Sequence, residues 1–187
     1  MMSNAIAHQC SRGRARLVVA ALSACGLAAL AWSVFMRPDA RFVYNASDSV
    51  PVGWYRVDPA GPQPGASPVG SIVLIHLPDA SASLAAQRGY LPIGIPLLKR
   101  VAAVAGQHVC IADRIVRIDG VTVAAARVAD RAGRPLRAWS GCRRLRHGEL
   151  LLLSTTNPAS FDSRYFGPVE ASAVLGIAHP LLLEIDK

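Results

Sequence analysis

The stretch RIVRIDGVTVA, residues 114–124, alternates apolar and polar side chains on both sides of Asp119-Gly120. That alternation has the period of a half-buried strand, and an Asp-Gly pair tolerates the two positive φ angles of a tight hairpin turn. A β-hairpin is therefore expected here. Outward from it, short apolar runs broken by Gly and Pro read as further strands: GSIVLIHLP (70–78), PLLKRVAAVAG (96–106), GELLLLST (148–155) and VLGIAHPLLLEI (174–185). Residues 79–90 read as one short helix, and DPAGPQPGASPVG (58–70) as a Pro/Gly-rich connector. Beyond Phe42 there is little sustained helical periodicity, so the fold class is mainly β: an antiparallel sheet body with a small hairpin-containing insertion over about 107–148.

The 187 residues hold one core and an appendage. Hydrophobic residues make up 52% of the chain while aromatics make up 6%, and the excess lies in Ala, Val and Leu near the N-terminus. Residues 17–36, LVVAALSACGLAALAWSVFM, carry no charge and, as a helix rising ~1.5 Å per residue, would span ~30 Å, one hydrocarbon core. Arg12, Arg14 and Arg16 precede this run, whereas Arg37 and Arg41 beyond it are partly offset by Asp39. The bias favours a cytoplasmic tail (1–16), a transmembrane helix (17–36) and a periplasmic domain (37–187) at a bacterial inner membrane. Two other readings stay open. Ala29 and Ala31 would fit a cleaved signal peptide, and Leu22-Ser23-Ala24-Cys25 fits a lipoprotein cleavage box.

The net charge of +8 admits nucleic acid or an anionic lipid surface as partner. No helix-turn-helix, RNP or zinc-finger pattern is present, so the lipid bilayer is the expected partner and nucleic acid is not. Of four cysteines, Cys10 and Cys25 belong to the N-terminal region, leaving Cys110 and Cys142 in the body. In an oxidising compartment these two are candidates for a disulfide, the alternative being two buried thiols. Zinc at Cys110, His108, Cys142 and His147 does not fit the spacing of a zinc module, and no metal or cofactor is expected.

The loop NASDSVPVGWY (45–55) places two serines one residue apart, before a Pro-x-Gly bend. A serine hydroxyl is a weak nucleophile until a base takes its proton. His76, His108, His147 and His179 are candidates, though none lies in a pattern suggesting a Ser-His-Asp set. Lys99 stands out because Lys187 is the only other lysine. Arginine stays protonated, whereas a lysine desolvated by an apolar run such as IPLLKRVAAVAG can lose its charge. A solvated lysine on an edge strand is the alternative.

Three segments in order, SDSVPVGWY (47–55), LLKRVAAVAG (97–106) and SFDSRYFGPV (160–169), following one N-terminal apolar segment, resemble the type I signal peptidases. The tight Ser-x-Pro-x-Gly-x-Tyr form, with RAGRPLRAWSGCRRLRHGELLLL (131–153), resembles the conjugative transfer branch called TraF. The resemblance implies a signal-peptidase-like sheet and a Ser-Lys dyad, with Ser49 as nucleophile and Lys99 as general base. Ser47 and the backbone N–H of Ser49 would form the oxyanion hole. Ser160, Asp162, Ser163 and Arg164 would orient the lysine or hold its loop, with Asp162 acting at a distance or through a hydroxyl. The implied substrate is a membrane-tethered precursor, a conjugative pilin above all, with cyclisation as a family behaviour. Two departures stand out: LLSTTNPASFDSR lacks the Gly-Asp-Asn common before the last motif, and AGQ (105–107) stands where Pro-Gly-Asp is common. A housekeeping signal peptidase and a non-enzymatic anchored β scaffold are the rival readings.

Overall fold

The computed structural model describes residues 16–28, 30, 41–61 and 67–184. The chain divides into an N-terminal unit, 1–39, and a body, 40–187. In the first unit residues 16–28 and 30 are helical; residues 1–15 of the expected tail and the rest of the expected 17–36 span lie outside the described residues. Among the described residues no helix is long and apolar enough to cross a membrane, since a crossing needs about twenty apolar residues in one run.

In the body, seven strands form an antiparallel sheet in the order β1-β2-β11-β3-β4-β9-β10. They are β1 (Arg41–Asn45), β2 (Gly53–Pro59), β3 (Ile72–Ile75), β4 (Leu97–Ala103), β9 (Glu149–Leu153), β10 (Val169–Glu170) and β11 (Val174–Leu183). A second sheet, ordered β7-β6-β5-β8, is built from β5 (His108–Ala112), β6 (Ile115–Ile118), β7 (Val121–Ala125) and β8 (Gly141–Arg144). Helices α1 (Asp79–Gln87) and α2 (Ser163–Phe166) and a 3-10 turn at Ala171–Ala173 are the helical elements among the described residues of the body.

The expected hairpin is β6-β7, turning at Asp119 and Gly120 with φ of 49° and 84°. Two positive φ values in succession give the turn whose twist matches that of the strands. The Asp119 side chain adds to it by accepting from His108 N (2.8 Å) and Gln107 Nε2 (2.9 Å). The insertion is larger than a hairpin, because β5 and β8 flank it and make a four-stranded sheet. Cys110 and Cys142 face each other across β5 and β8 and are joined in a disulfide. Both sulfurs are thereby removed from any zinc site.

The run GELLLLST shows why a strand can lack alternation. All five residues of β9 are buried. Leu150 and Leu152 pack with Val73, Ile75 and Val101 on one face, while Leu151 and Leu153 pack with Val109, Ile111, Val116 and Ile118 of the small sheet on the other. A strand covered on both faces reads as a continuous apolar run. A third cluster, Val50, Tyr55, Val57, Leu74 and Leu98, lies under the 45–53 loop.

Trp54 is half exposed and rests on Tyr44 of the neighbouring strand, ring centroids 5.3 Å apart, rather than in the core. Gly53, the glycine of the Pro-x-Gly bend, has φ +142°, and a Cβ there would sit 2.2 Å from Leu182 O and 2.8 Å from Leu183 Cα. Both obstacles are backbone of β11, which cannot swing aside. Gly53→Ala is expected to destabilise the body by about 2–4 kcal/mol through overpacking and backbone strain. Chemical denaturation of the variant measures this; a loss below about 0.5 kcal/mol would show that β11 yields freely.

Candidate active site

Asn45 ends β1 and organises the loop that follows. Its side-chain amide donates to the carbonyls of Ser47 (2.6 Å), Val50 (2.9 Å) and Pro51 (3.1 Å), and its Oδ1 accepts from Ser47 Oγ (2.9 Å). An asparagine that satisfies several turn carbonyls fixes the loop without needing a second strand. Tyr55, fully buried on β2, donates to Pro51 O (2.6 Å) from below. The loop is thus held at both ends. Ser49 is buried at 7% exposure, with its Oγ 2.9 Å from Ser47 Oγ and donating to Leu98 O at 3.3 Å. The hydroxyl oxygens of the two serines singled out in the sequence thus lie within hydrogen-bond distance, and whichever serine donates to the other gives up its bond to Asn45 or Leu98.

Leu98 immediately precedes Lys99, so the contact made by Ser49 brings its loop onto β4 beside the lysine. Lys99 pairs with Val73 in the register between β4 and β3, well inside the seven-stranded sheet. The edge-strand alternative is thereby excluded. Lys99 is only 4% exposed, and its Nζ donates to Ser160 Oγ at 2.6 Å. Burial pushes its pKa down to about 8; Asp162 and Asp48 oppose this, and Arg164 assists it. Stripping water from an ammonium disfavours the charged form more than these carboxylates restore it. Among the described residues Lys99 makes no ion pair within 4 Å, and no histidine hydrogen-bonds to Ser49.

Asp162 is fully buried yet does not touch the lysine. Its Oδ2 accepts from Ser154 N (2.9 Å) and Arg164 Nη2 (2.7 Å), and its Oδ1 accepts from Arg164 N (3.1 Å) and Nε (2.8 Å). Arg164, 1% exposed, also donates to the carbonyls of Asn157, Pro158 and Ser160. Asp162 and Arg164 therefore shape the loop, while Ser160 alone of the expected set contacts the lysine. Ser163 is remote from it in bonding: its Oγ accepts from Leu152 N (3.0 Å) and ties α2 to β9.

Lys99 and Ser160 open on a cleft of about 350 Å³ whose walls include Leu77, Leu97 and Phe161 as well as Asp48 and Arg131. In the same cleft lining, Asp130 accepts from Tyr90 Oη and from Arg134 Nε (2.7 Å) and lies 3.5 Å from Arg88. This knot joins the segment after α1 to the loop between β7 and β8. Asn45 and Tyr90 are not singled out by the sequence, and Tyr55, Phe161 and Tyr165 enter only as positions within SDSVPVGWY and SFDSRYFGPV. An asparagine two residues before Ser47 is the one available signal, since Asn favours turn starts.

A buried amine whose charge is disfavoured, beside a serine loop, has the features of a site able to take up a proton. The family model described as "Signal peptidase, peptidase S26" matches residues 14–182. The plasmid transfer protein TraF of Escherichia coli is 34% identical over 178 residues, covering 90% of this chain and 94% of that protein. The conjugal transfer protein TraF of Agrobacterium fabrum (strain C58 / ATCC 33970) is 37% identical over 175 residues, covering 89% and 96%. A signal peptidase I structure from Enterococcus faecalis V583 is 20% identical, with a TM-score of 0.35, and covers 64% of this chain and 98% of that one. With a family model spanning most of its length and relatives aligned almost end to end, this chain belongs to the S26 signal peptidase family.

Proposed function

We propose that this chain is a membrane-tethered serine endopeptidase with a Ser49-Lys99 dyad, which processes a membrane-associated precursor of a conjugative transfer apparatus, a pilin subunit above all. The observation that carries this reading is the buried Lys99 amine, its charge disfavoured, beside the Ser49 loop. The names of the relatives, plasmid and conjugal transfer proteins, support the transfer context.

In this reading Ser49 Oγ attacks the scissile carbonyl as neutral Lys99 Nζ takes its proton. The Oγ–C bond forms, the carbonyl becomes an oxyanion, and Ser47 Oγ–H with the Ser49 N–H stabilise that charge where it develops. The lysine ammonium then protonates the leaving amine as the C–N bond breaks, leaving an acyl-enzyme. Water, or an amine of the substrate itself, attacks the acyl carbon. The product is a linear or a cyclic chain. Ser160 Oγ accepts one amine hydrogen and so orients the lone pair of Lys99. The uncharged segment 17–36 is the proposed inner-membrane anchor, with the body on the periplasmic side, which would restrict the search for a tethered substrate to a surface.

The test is co-expression of the full chain with a pilin precursor, comparing wild type with Ser49→Ala and Lys99→Met by intact product mass. Wild type should change the mass and both variants should leave it unchanged; a product one water lighter than the linear processed chain identifies cyclisation. Processing by all three proteins would remove the dyad from consideration. Cleavage of many unrelated secreted precursors would point to a housekeeping peptidase instead.

A further inference from the structure

Asp48 lies between the two serines and has no part in the dyad, yet it is where the nucleophile loop is joined to the loop carrying Ser160. Its backbone carbonyl accepts from Thr156 Oγ1 (2.8 Å), and its Oδ1 accepts from Asn157 Nδ2 (2.5 Å). Asn157 in turn builds the turn that presents Ser160: its Oδ1 accepts from Ala159 N (2.7 Å) and its carbonyl from Ser160 N (3.1 Å). Ser160 Oγ accepts from Lys99 Nζ. One line of contacts therefore runs from the residue beside Ser49 to the amine.

We propose that Asp48 is a positioning residue, clamping the nucleophile loop through Asn157 onto the turn that orients Lys99 and holding a negative charge at the mouth of the cleft. The proposal rests on the dyad reading for its consequence in catalysis, but not for the contacts themselves. Its two parts separate chemically. Asparagine keeps an Oδ1 acceptor for Asn157 and loses the charge, whereas alanine loses both. The exposed Arg131, 3.6 Å from Asp48, is a solvated partner and adds little to the clamp.

The charged groups felt by Lys99 are Asp162 and Arg164 from the segment after β9 and Asp48 from the nucleophile loop; Arg88, Asp130, Arg131 and Arg134 line the cleft further out. Asp48 favours the ammonium, so removing its charge eases deprotonation and moves the Lys99 midpoint down. The shift is small, because the Asp48 carboxylate is largely solvated.

The experiment is an NMR titration of the full chain with ¹³C-labelled lysine, in which only Lys99 and Lys187 give signals and Lys99→Met assigns them. Asp48→Asn and Asp48→Ala should both lower the Lys99 midpoint. Amide exchange over residues 46–50 should be about tenfold faster in the alanine variant than in the asparagine variant, which keeps the clamp. At neutral pH, conversion of the precursor processed by wild type should rise slightly in Asp48→Asn, where the clamp holds and Lys99 is more often neutral, and fall about tenfold in Asp48→Ala, where the clamp is lost. An unmoved midpoint in Asp48→Asn overturns the charge role, and equal exchange in the two variants overturns the clamp. Neither readout needs turnover, so absent processing by wild type would count against the peptidase reading alone.

Discussion

Lys99→Met is expected to lower the rate of precursor processing by about 10³-fold or more, with Ser49→Ala at least as severe, because a residue pair acting as a unit fails when either member is lost. Methionine replaces the amine with a side chain of similar length and no proton affinity, so the fold should survive. The same change should raise stability at neutral pH. The folded pKa of Lys99 is near 8, below the ordinary value of 10.5, so burial of the ammonium costs stability below pH 8. Between about pH 8 and 10.5 the unfolded chain binds more protons than the folded one, and wild-type stability should rise with pH. The Lys99→Met advantage should therefore be largest at pH 7 and shrink across that window. Thermal melts of both proteins from pH 7 to 10.5 measure it, and parallel curves would mean that Lys99 is not desolvated. In kinetics the same lysine predicts an acidic limb of kcat/KM centred near pH 8. A limb near pH 6.5 would instead indicate a histidine base.

Particular residues show how far the site could be read without coordinates. Lys99 stands out in the sequence as the single internal lysine of an otherwise arginine-based body, and Ser49 through the family resemblance; the structure buries both and seats the Ser49 loop on β4 against Leu98. The hairpin at Asp119-Gly120 was legible because its turn is local. Strands β1, β2, β5, β8 and β10 were not: among the described residues RFVYN pairs only with the neighbouring GWYRVDP, which in turn docks on the distant β11, while HVCIA and GCRR pair with each other across about thirty residues and the two-residue β10 pairs with β9. Register with a distant strand, rather than propensity, decides such segments. The role of Asp162 needed coordinates for a similar reason. A carboxylate near Lys99 should favour the ammonium, and only the structure places Arg164 on both of its oxygens.

That arrangement makes Arg164 the residue whose loss should cost the fold most. Arg164→Met should destabilise the body by about 3–5 kcal/mol, since it leaves a fully buried carboxylate without its counter-ion. The carbonyls of Asn157, Pro158 and Ser160 lose their guanidinium donors as well. Lysine should rescue little, because a single ammonium cannot span the two Asp162 oxygens and these carbonyls in one plane. Adding Asp162→Asn to Arg164→Met should recover part of the loss by removing the orphaned charge. Denaturant melts of the three variants test this, and a loss under about 1 kcal/mol for Arg164→Met would show that the pair is solvated or replaceable. The catalytic consequence has its own sign. Arg164 helps depress the Lys99 pKa, and Asp162 opposes it. With Arg164 gone and Asp162 still ionised, Lys99 should titrate higher and the acidic limb of the rate profile should move up. In the double variant both charges are absent and the limb should return toward its wild-type position. A buried carboxylate can therefore stand near Lys99 without restoring its ordinary pKa, because desolvation outweighs the carboxylate's field and Arg164, bonded to both carboxylate oxygens, offsets part of it.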